Sequence, residues 1–338
     1  MGIEPQQKLL GRTGLKLSTL GFGGTGLGNM YTAMSEGEAI ATLDAAYASG
    51  LRYFDTAPLY GHGLSELRLG SGLRRFADPG AVVSTKVGWR LKPTFGEPSG
   101  AGLFQDITAF SRFNDYTYDG VMRSFEDSLN RLGVQRVEIL LIHDVDRRNQ
   151  GDRLPDVFRT AMTGAYKALL SLREQGLVQA IGCGLNEWQA CQQFAEAGDF
   201  DCFLLAGRYT LLEQESLKSF LPLCERRDIG IILGGPYNSG ILASGAVKGA
   251  WFDYAPATEA ALSRVADIEV VCARHGVPLK AAALQFPLGH RCVASVIPGT
   301  RSSAELAENL RMLHTPIPAE FWRELKTRSL LDSDAPTS

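Results

Sequence analysis

Short apolar blocks alternate along this chain with stretches whose apolar residues fall three or four positions apart, the two periodicities that separate strands from amphipathic helices. The first segment, KLLGRTGLKL, places apolar residues on both sides of Gly11 to Gly14 and predicts a short β-hairpin. From there one unit repeats. Leu20 to Gly23 predicts a strand. Ser35 to Gly50 predicts a helix, with Ser35 as N-cap, Glu38 three residues on, Ile40, Leu43 and Tyr47 at helical spacing and Gly50 as the stop. Strand LRYFDT follows, then strand AVVSTKV, helix Asp119 to Arg131, strand VEILLI, helix Ala161 to Gln175 and strand AIGC. The pattern continues through helix Glu187 to Ala197, strand CFLLA, helix Ser216 to Arg227, strand IGIIL, helix Ala257 to His275, strand VASVIP and helix Ser302 to Met312. Eight such units predict an α/β fold, a closed (β/α)8 TIM barrel with a short N-terminal β-hairpin. No Pro-, Gly- or Ser-rich linker divides the chain, so residues 1–338 read as one domain.

Two connections are longer than a barrel needs: Gly88 to Tyr118 after the third strand, and Pro236 to Pro256 after the seventh. Both leave the C-terminal ends of strands, the face on which barrel enzymes build their sites. The first carries Trp89, Phe95, Phe104, Phe110, Phe113, Tyr116 and Tyr118. These rings either pack the loop onto the barrel rim or form an aromatic lid.

Composition narrows the partners. At 45% hydrophobic and 21% charged residues, the chain can bury a large core. With 34 basic against 37 acidic side chains and a net charge of −3, it has no field to hold nucleic acid or an anionic membrane. No stretch approaches the roughly 18 apolar residues of a membrane span, and MGIEPQQKLLGRTG has no apolar run after a basic start. Gly2 lacks the Ser or Thr at position 6 that a myristoylation motif wants; Gln6 stands there. The expectation is a cytoplasmic protein whose six cysteines, none in a C-x-x-C pair, act as small buried hydrophobes. The five histidines are scattered without ligand spacing, so no metal is expected.

Gly21, Gly23 and Gly26 in GFGGTG satisfy the G-x-G-x-x-G dinucleotide fingerprint, but the next helix starts only near Ser35, and the acid about 20 residues on, Asp44, lies inside it. The glycines read better as a turn that lets a ligand approach the backbone at the mouth of strand one. More informative are the polar residues that interrupt strand ends. Asp55 lies just past strand two with Tyr60 five residues on, Lys86 ends strand three and His143 ends strand four. Singly, each has a structural explanation in a rim salt bridge, a packed ring or a polar cap. Together they form a proton-transfer set: an ammonium beside a tyrosine stabilises its phenolate, Asp55 would fix the lysine, and His143 would orient a substrate oxygen. Such a site suits proton movement on an alcohol or carbonyl while hydride passes to or from a cofactor.

At these residues the chain resembles the aldo-keto reductases, a family that uses an Asp, Tyr, Lys and His tetrad on a (β/α)8 barrel with a nicotinamide cofactor. The resemblance runs nearly end to end through LGRTGLKLSTLGFG, FDTAPLYGHGLSE, STKVG, RSFEDSLNRLGVQRVEILLIHD, IGCGLN and VIPGTRSSAELAENL. DYTYDGVMRSFEDSLNRL and the HDVD that begins at His143 are most similar to the branch of sugar dehydrogenases acting on L-fucose, D-threo-aldoses or L-galactose, with pyridoxal dehydrogenation a close relation. The resemblance implies that Asp55, Tyr60, Lys86 and His143 are the tetrad, and that Asn186 binds the nicotinamide carboxamide. It further implies cofactor contacts at Gly24, Thr25, Asp55, Gly299, Thr300, Arg301, Glu305 and Asn309. The sequence departs from the family where a serine before Asn186 is displaced in GLN, where a glutamine falls near Ala206, and where the tyrosine that stacks on nicotinamide falls near Gly234.

NADP-preferring members place a lysine where Gly299 stands and an arginine where Glu305 aligns. Losing two cations and gaining a carboxylate favours NAD over NADP, with Arg301 as the counter-signal. The expected function is NAD-dependent oxidation of the anomeric hydroxyl of a free aldose to an aldonolactone, with a small sugar or hemiacetal as substrate and His62 and Trp89 as substrate contacts. The alternatives are pyridoxal 4-dehydrogenation, NADP-linked reduction of aldehydes or ketones, and a nicotinamide-binding redox-sensing subunit.

Overall fold

A computed structural model describes residues 5–76 and 80–337 of the protein; Gly2 lies outside them. Among the described residues, eight parallel strands follow one another around a barrel in sequence order: β1 Phe22–Gly23, β2 Tyr53–Asp55, β3 Val82–Val87, β4 Ile139–His143, β5 Ala180–Leu185, β6 Cys202–Ala206, β7 Gly230–Gly234 and β8 Val293–Ile297. The circle closes between β8 and the start of β1. Gly21 N donates to Val296 O at 2.9 Å, Val296 N to Thr19 O at 2.9 Å and Gly23 N to Pro298 O at 3.2 Å. The expected hairpin is present as Gln7–Leu9 paired antiparallel with Lys16–Ser18.

The period of two along each strand decides which side chains can reach the mouth. On β4, Leu140 and Ile142 pack outward in the layer shared with the helices, while Ile139 and Leu141 fill the barrel interior. His143 continues the inward row. On β2, Phe54 belongs to the outer layer and Tyr53 to the interior, so Asp55 also points inward. On β3, Val83 and Val87 are outward, which leaves Ser84 and Lys86 on the inner face. Leu10, Leu15 and Leu17 from the hairpin segment join the interior cluster.

Most expected helices appear within a residue or two of their predicted ends. Ser35 caps Glu36–Ala48 in a capping box with Glu38. Among the described residues, four helices of seven residues or more were not legible. Leu64–Leu73 is interrupted by Gly70 and Gly72, Leu279–Gln285 is short and alanine-rich, and Ala319–Thr327 begins directly after Pro318. Leu154–Thr160 runs through a π-helical turn at Ala161–Ala165 into Tyr166–Glu174, lengthening the helix predicted from Ala161. Gly164 sits in that turn because its face lies against the backbone of Tyr116 to Tyr118.

Both long connections carry structure of their own. The first contains an antiparallel ladder, Trp89–Pro93 with Phe110–Asn114. The second contains a short helix, Ile241–Ser244, and a two-residue ladder, Trp251–Phe252 with Ala255–Pro256. The aromatic residues of the first loop divide: Phe95 is fully exposed, whereas Tyr116 is buried and donates its hydroxyl to His143 O at 2.7 Å. All six cysteines are unpaired, five of them buried. Among the described residues, no helix is long and apolar enough to cross a membrane.

Candidate active site

The inward residues at the tops of β2, β3 and β4 meet at the base of a cavity of about 1200 Å³. Lys86, 1% exposed, places Nζ 2.7 and 2.9 Å from the two carboxylate oxygens of Asp55 and 2.8 Å from Thr56 O, which uses all three of its donors. Ser84 donates to Asp55 Oδ1 at 2.7 Å and is itself paired with the Tyr53 hydroxyl at 2.8 Å. Burial pulls Asp55 up and Lys86 down in pKa, and the direct contact between them opposes both shifts. Gly184 on β5 is packed against the lysine stem, where a side chain would press on Cδ and Cε.

Tyr60 reaches this pair from the loop after β2. Gly61, His62 and Gly63 all take left-handed backbone there, turning the chain back beneath the ring. Lys86 Nζ lies 4.7 Å from the centre of the Tyr60 ring, and His143 meets the ring edge-on at 5.9 Å between centroids. The expected lowering of the Tyr60 pKa does not occur in this state. Burial pushes the phenol well above its ordinary value, and the Asp55 and Asp144 carboxylates add to the shift. Burial dominates, and Lys86, whose ammonium is held by both Asp55 oxygens, does not offset it. His143 is held well below its ordinary value by burial and by the Lys86 and Arg112 charges, so the ring is neutral. Its buried Nδ1 has no partner among the described residues.

Asn186, Thr25, Gly299, Arg301, Glu305 and Asn309 line the same cavity. Gly24 and Thr300 lie behind its wall. Gly24 N donates to Asp55 O at 2.8 Å, and the buried Thr300 hydroxyl faces Pro298 O at 3.4 Å. Arg301 does not stand as an unpaired cation: its guanidinium is 3.0 Å from Glu305 Oε1, and its backbone N–H donates to Oε2 at 2.9 Å. Asn309 Oδ1 accepts from the Tyr237 hydroxyl at 2.7 Å. Ala206 and Gly234 also line the cavity and leave that wall without large side chains.

Neither of the two expected substrate contacts, His62 and Trp89, lines the cavity. His62 is 1% exposed and its two nitrogens lie 2.6 Å from Phe110 O and 3.3 Å from Gly100 O, so it ties the β2 loop to the β3 loop and does not line the cavity. Trp89 stands one layer back. Its Nε1 donates to Asp144 Oδ2 at 2.8 Å, and Arg112 stacks on its ring at 4.4 Å. Asp144 and Arg112 are the residues that face the cavity.

Sequence reasoning missed several lining residues: Asp144, Arg112, Tyr254, Lys280 and Asn238. Tyr254 donates to Asn186 Oδ1 at 3.2 Å from the loop after β7, held there by Arg148 stacked on its ring at 4.8 Å. HDVD was a local signal for Asp144; the loop residues had none. At the other end of the barrel, Glu225, His290 and Cys292 bring possible ligand atoms within 4.8 Å of one another, a grouping invisible in their spacing. Arg291 already holds Glu225 at 3.0 Å, and His290 Nδ1 accepts from Cys292 N at 3.3 Å.

The cavity fits a nicotinamide dinucleotide. Its volume exceeds the about 300 to 1,000 Å³ of an ordinary small-molecule site. It runs from the glycines of β1 to the tetrad, and Asn238 Oδ1 in its wall is buried with no partner among the described residues.

The chain is similar to known proteins along nearly its whole length. The aldo/keto reductase family model matches residues 19–328. The chain is 41% identical to pyridoxal 4-dehydrogenase of Microbacterium luteolum over 96% of its length and 98% of the relative's. It is 38% identical to D-threo-aldose 1-dehydrogenase of a Pseudomonas species, covering 94% and 96%, and 28% identical to L-galactose dehydrogenase of Arabidopsis thaliana, covering 90% and 86%. Among solved structures, an aldo-keto reductase from Bacillus halodurans superposes with a TM-score of 0.75 over 98% of both chains at 20% identity, a likeness of fold. The chain belongs to the aldo/keto reductase family.

Proposed function

We propose that the protein is an NAD-dependent dehydrogenase that oxidises the anomeric hydroxyl of a free aldose of the L-fucose, L-galactose or D-threo-aldose class to an aldonolactone. The observation that carries this reading is the meeting of Asp55, Tyr60, Lys86 and His143 at the base of one cavity large enough for a dinucleotide and a sugar together. A bound nicotinamide dinucleotide supplies the acceptor for the hydride that leaves C1. Tyr60 takes the proton of the anomeric hydroxyl, and neutral His143 donates an N–H to the same oxygen and orients it. Lys86 and Asp55 hold a fixed dipole beside Tyr60. Because burial keeps the phenol protonated, Tyr60 is ready as the acid of the reverse reduction and acts as base once raised pH removes its proton.

NAD is favoured by charge. The resemblance puts the adenosine ribose near Gly299 to Asn309, where Arg301 is paired with Glu305 and Lys280 with Glu308 at 2.5 Å. A 2′-phosphate would have to break one of these pairs or face a carboxylate, whereas a free hydroxyl can donate to one. The six unpaired cysteines support work in the reducing cytoplasm.

Pyridoxal 4-dehydrogenation is the second reading. It is favoured by the 41% identity to an enzyme of that name and by Tyr31, Phe104, Trp251 and Tyr254, aromatic rings that line the cavity. The test is reduction of NAD and of NADP, followed by nicotinamide absorbance, with L-fucose, L-galactose, D-arabinose, D-glucose and pyridoxal. NAD-linked turnover of a few aldoses is expected. Turnover of pyridoxal alone would replace the aldose reading with the second.

A further inference from the structure

HDVD places two aspartates at the top of β4, and their surroundings differ. Asp146 is fully buried and accepts from Asn149 N at 3.0 Å, Asn149 Nδ2 at 2.8 Å and Asn186 N at 2.9 Å; it is a satisfied tie between loops. Asp144 is 5% exposed and lines the cavity, yet among the described residues one donor serves its carboxylate, Trp89 Nε1 on Oδ2. Among the described residues, Oδ1 has only His143 Nε2 at 3.5 Å, beyond a good hydrogen bond. Arg112, stacked on the Trp89 ring, makes no hydrogen bond to Asp144 among the described residues and lowers its pKa only through its charge. Burial and the neighbouring Asp146 push Asp144 up to about 7. A buried carboxylate accommodates about four donors, and leaving it short of them is costly unless a ligand completes the set.

We propose that Asp144 is the hydroxyl acceptor of the substrate site, binding a hydroxyl on the carbon next to the reacting one and so selecting polyhydroxylated substrates over simple aldehydes and alcohols. Asp144 Oδ1 lies 3.5 Å from His143 Nε2, and the His143 ring meets Tyr60 edge-on, so the carboxylate flanks the pair that would hold the reacting oxygen. Trp89 is the positioning residue that aims it. Asp144 has a left-handed backbone, φ 57°, a conformation that Asp and Asn tolerate better than other side chains. The inference rests on the reading that this site moves hydride at a hydroxyl-bearing carbon.

The test is D144N. Asparagine keeps the left-handed backbone and, through its carbonyl, the bond from Trp89, but offers the cavity a donor in place of an acceptor. Wild type and variant are compared in NADH-linked reduction of D-glyceraldehyde and of propanal, which share the reacting aldehyde and differ in the neighbouring hydroxyls. The ratio of kcat/KM for glyceraldehyde to that for propanal is expected to fall at least 30-fold, and W89F is expected to lower it in the same direction by less. An unchanged ratio in D144N, equal loss on both substrates, or a wild type inert toward both would overturn the assignment. A wild type that oxidises none of the aldoses with NAD, while D144N still lowers this reductive ratio, would sink the aldose-oxidation reading and keep this one.

Discussion

The two walls of the cavity are built differently. On the strand side, Asp55, Ser84 and Lys86 stand on β2 and β3 with short bonds in full burial, and every donor of Lys86 is spoken for. On the opposite side, the loop after β7 and the helix Ser303–Leu313 present half-exposed ion pairs. Arg301–Glu305, Lys280–Glu308 and Arg148–Asp253 have side chains between 26% and 47% exposed. Buried, doubly bonded pairs resist rearrangement, and removing one partner strands the other; exposed pairs are worth about 0 to 1 kcal/mol and give way easily. The first wall is suited to fixed acid–base geometry. The second is suited to admitting and discriminating a cofactor.

Breaking the strand wall has the largest expected effect. Lys86→Met leaves the Asp55 carboxylate buried with Ser84 as its remaining side-chain donor, and both stability and chemistry suffer. Unfolding in urea should show a loss of roughly 3–5 kcal/mol, and steady-state turnover a fall of about 10²- to 10⁴-fold in kcat. Wild-type stability in this variant would mean that the pair is not the rigid element described.

The next effect reads the proton state of Tyr60. Its pKa is raised, so at neutral pH the phenol form dominates and oxidation waits on deprotonation. The kcat/KM of aldose oxidation should climb with pH through the alkaline range, by up to about tenfold per unit for a single proton. That for aldehyde reduction should stay level and fall only once the phenol ionises. A flat oxidative profile would place the proton elsewhere.

The smallest effect belongs to the loop wall. Glu305→Gln removes the carboxylate that neutralises Arg301, and the NADP-to-NAD ratio of kcat/KM should rise by roughly two- to fivefold, the range set by an exposed ion pair. Its urea midpoint should stay at the wild-type value. A ratio that does not move would remove Glu305 from cofactor choice.

The same contrast explains what was legible in the sequence. Strand periodicity is strict, so a charged residue interrupting an apolar strand at its C-terminal end has to lie at the barrel mouth, on the inner or outer face by parity. Asp55, Lys86 and His143 could therefore be read directly, and the (β/α)8 order followed from the repeat. Loop residues obey no such rule. Tyr254 reaches Asn186 only because Asp253 and Tyr254 both adopt left-handed backbone, and Lys280 meets Glu308 across two helices. His62 looked accessible because it follows Tyr60, but the ladder of the β3 loop closes over it. The direction of the Tyr60 pKa was not legible either, because it is set first by burial, and burial is a property of the folded loops and not of residue spacing.

The central claim is that hydride leaves C1 of an aldose at this site. It is tested most directly by incubating the protein with NAD and L-fucose deuterated at C1 and measuring the isotopic content of the reduced cofactor by mass spectrometry. Deuterium in the reduced nicotinamide, with L-fuconolactone as the product, is the predicted result. Unlabelled reduced cofactor with the label kept in the sugar would contradict the claim.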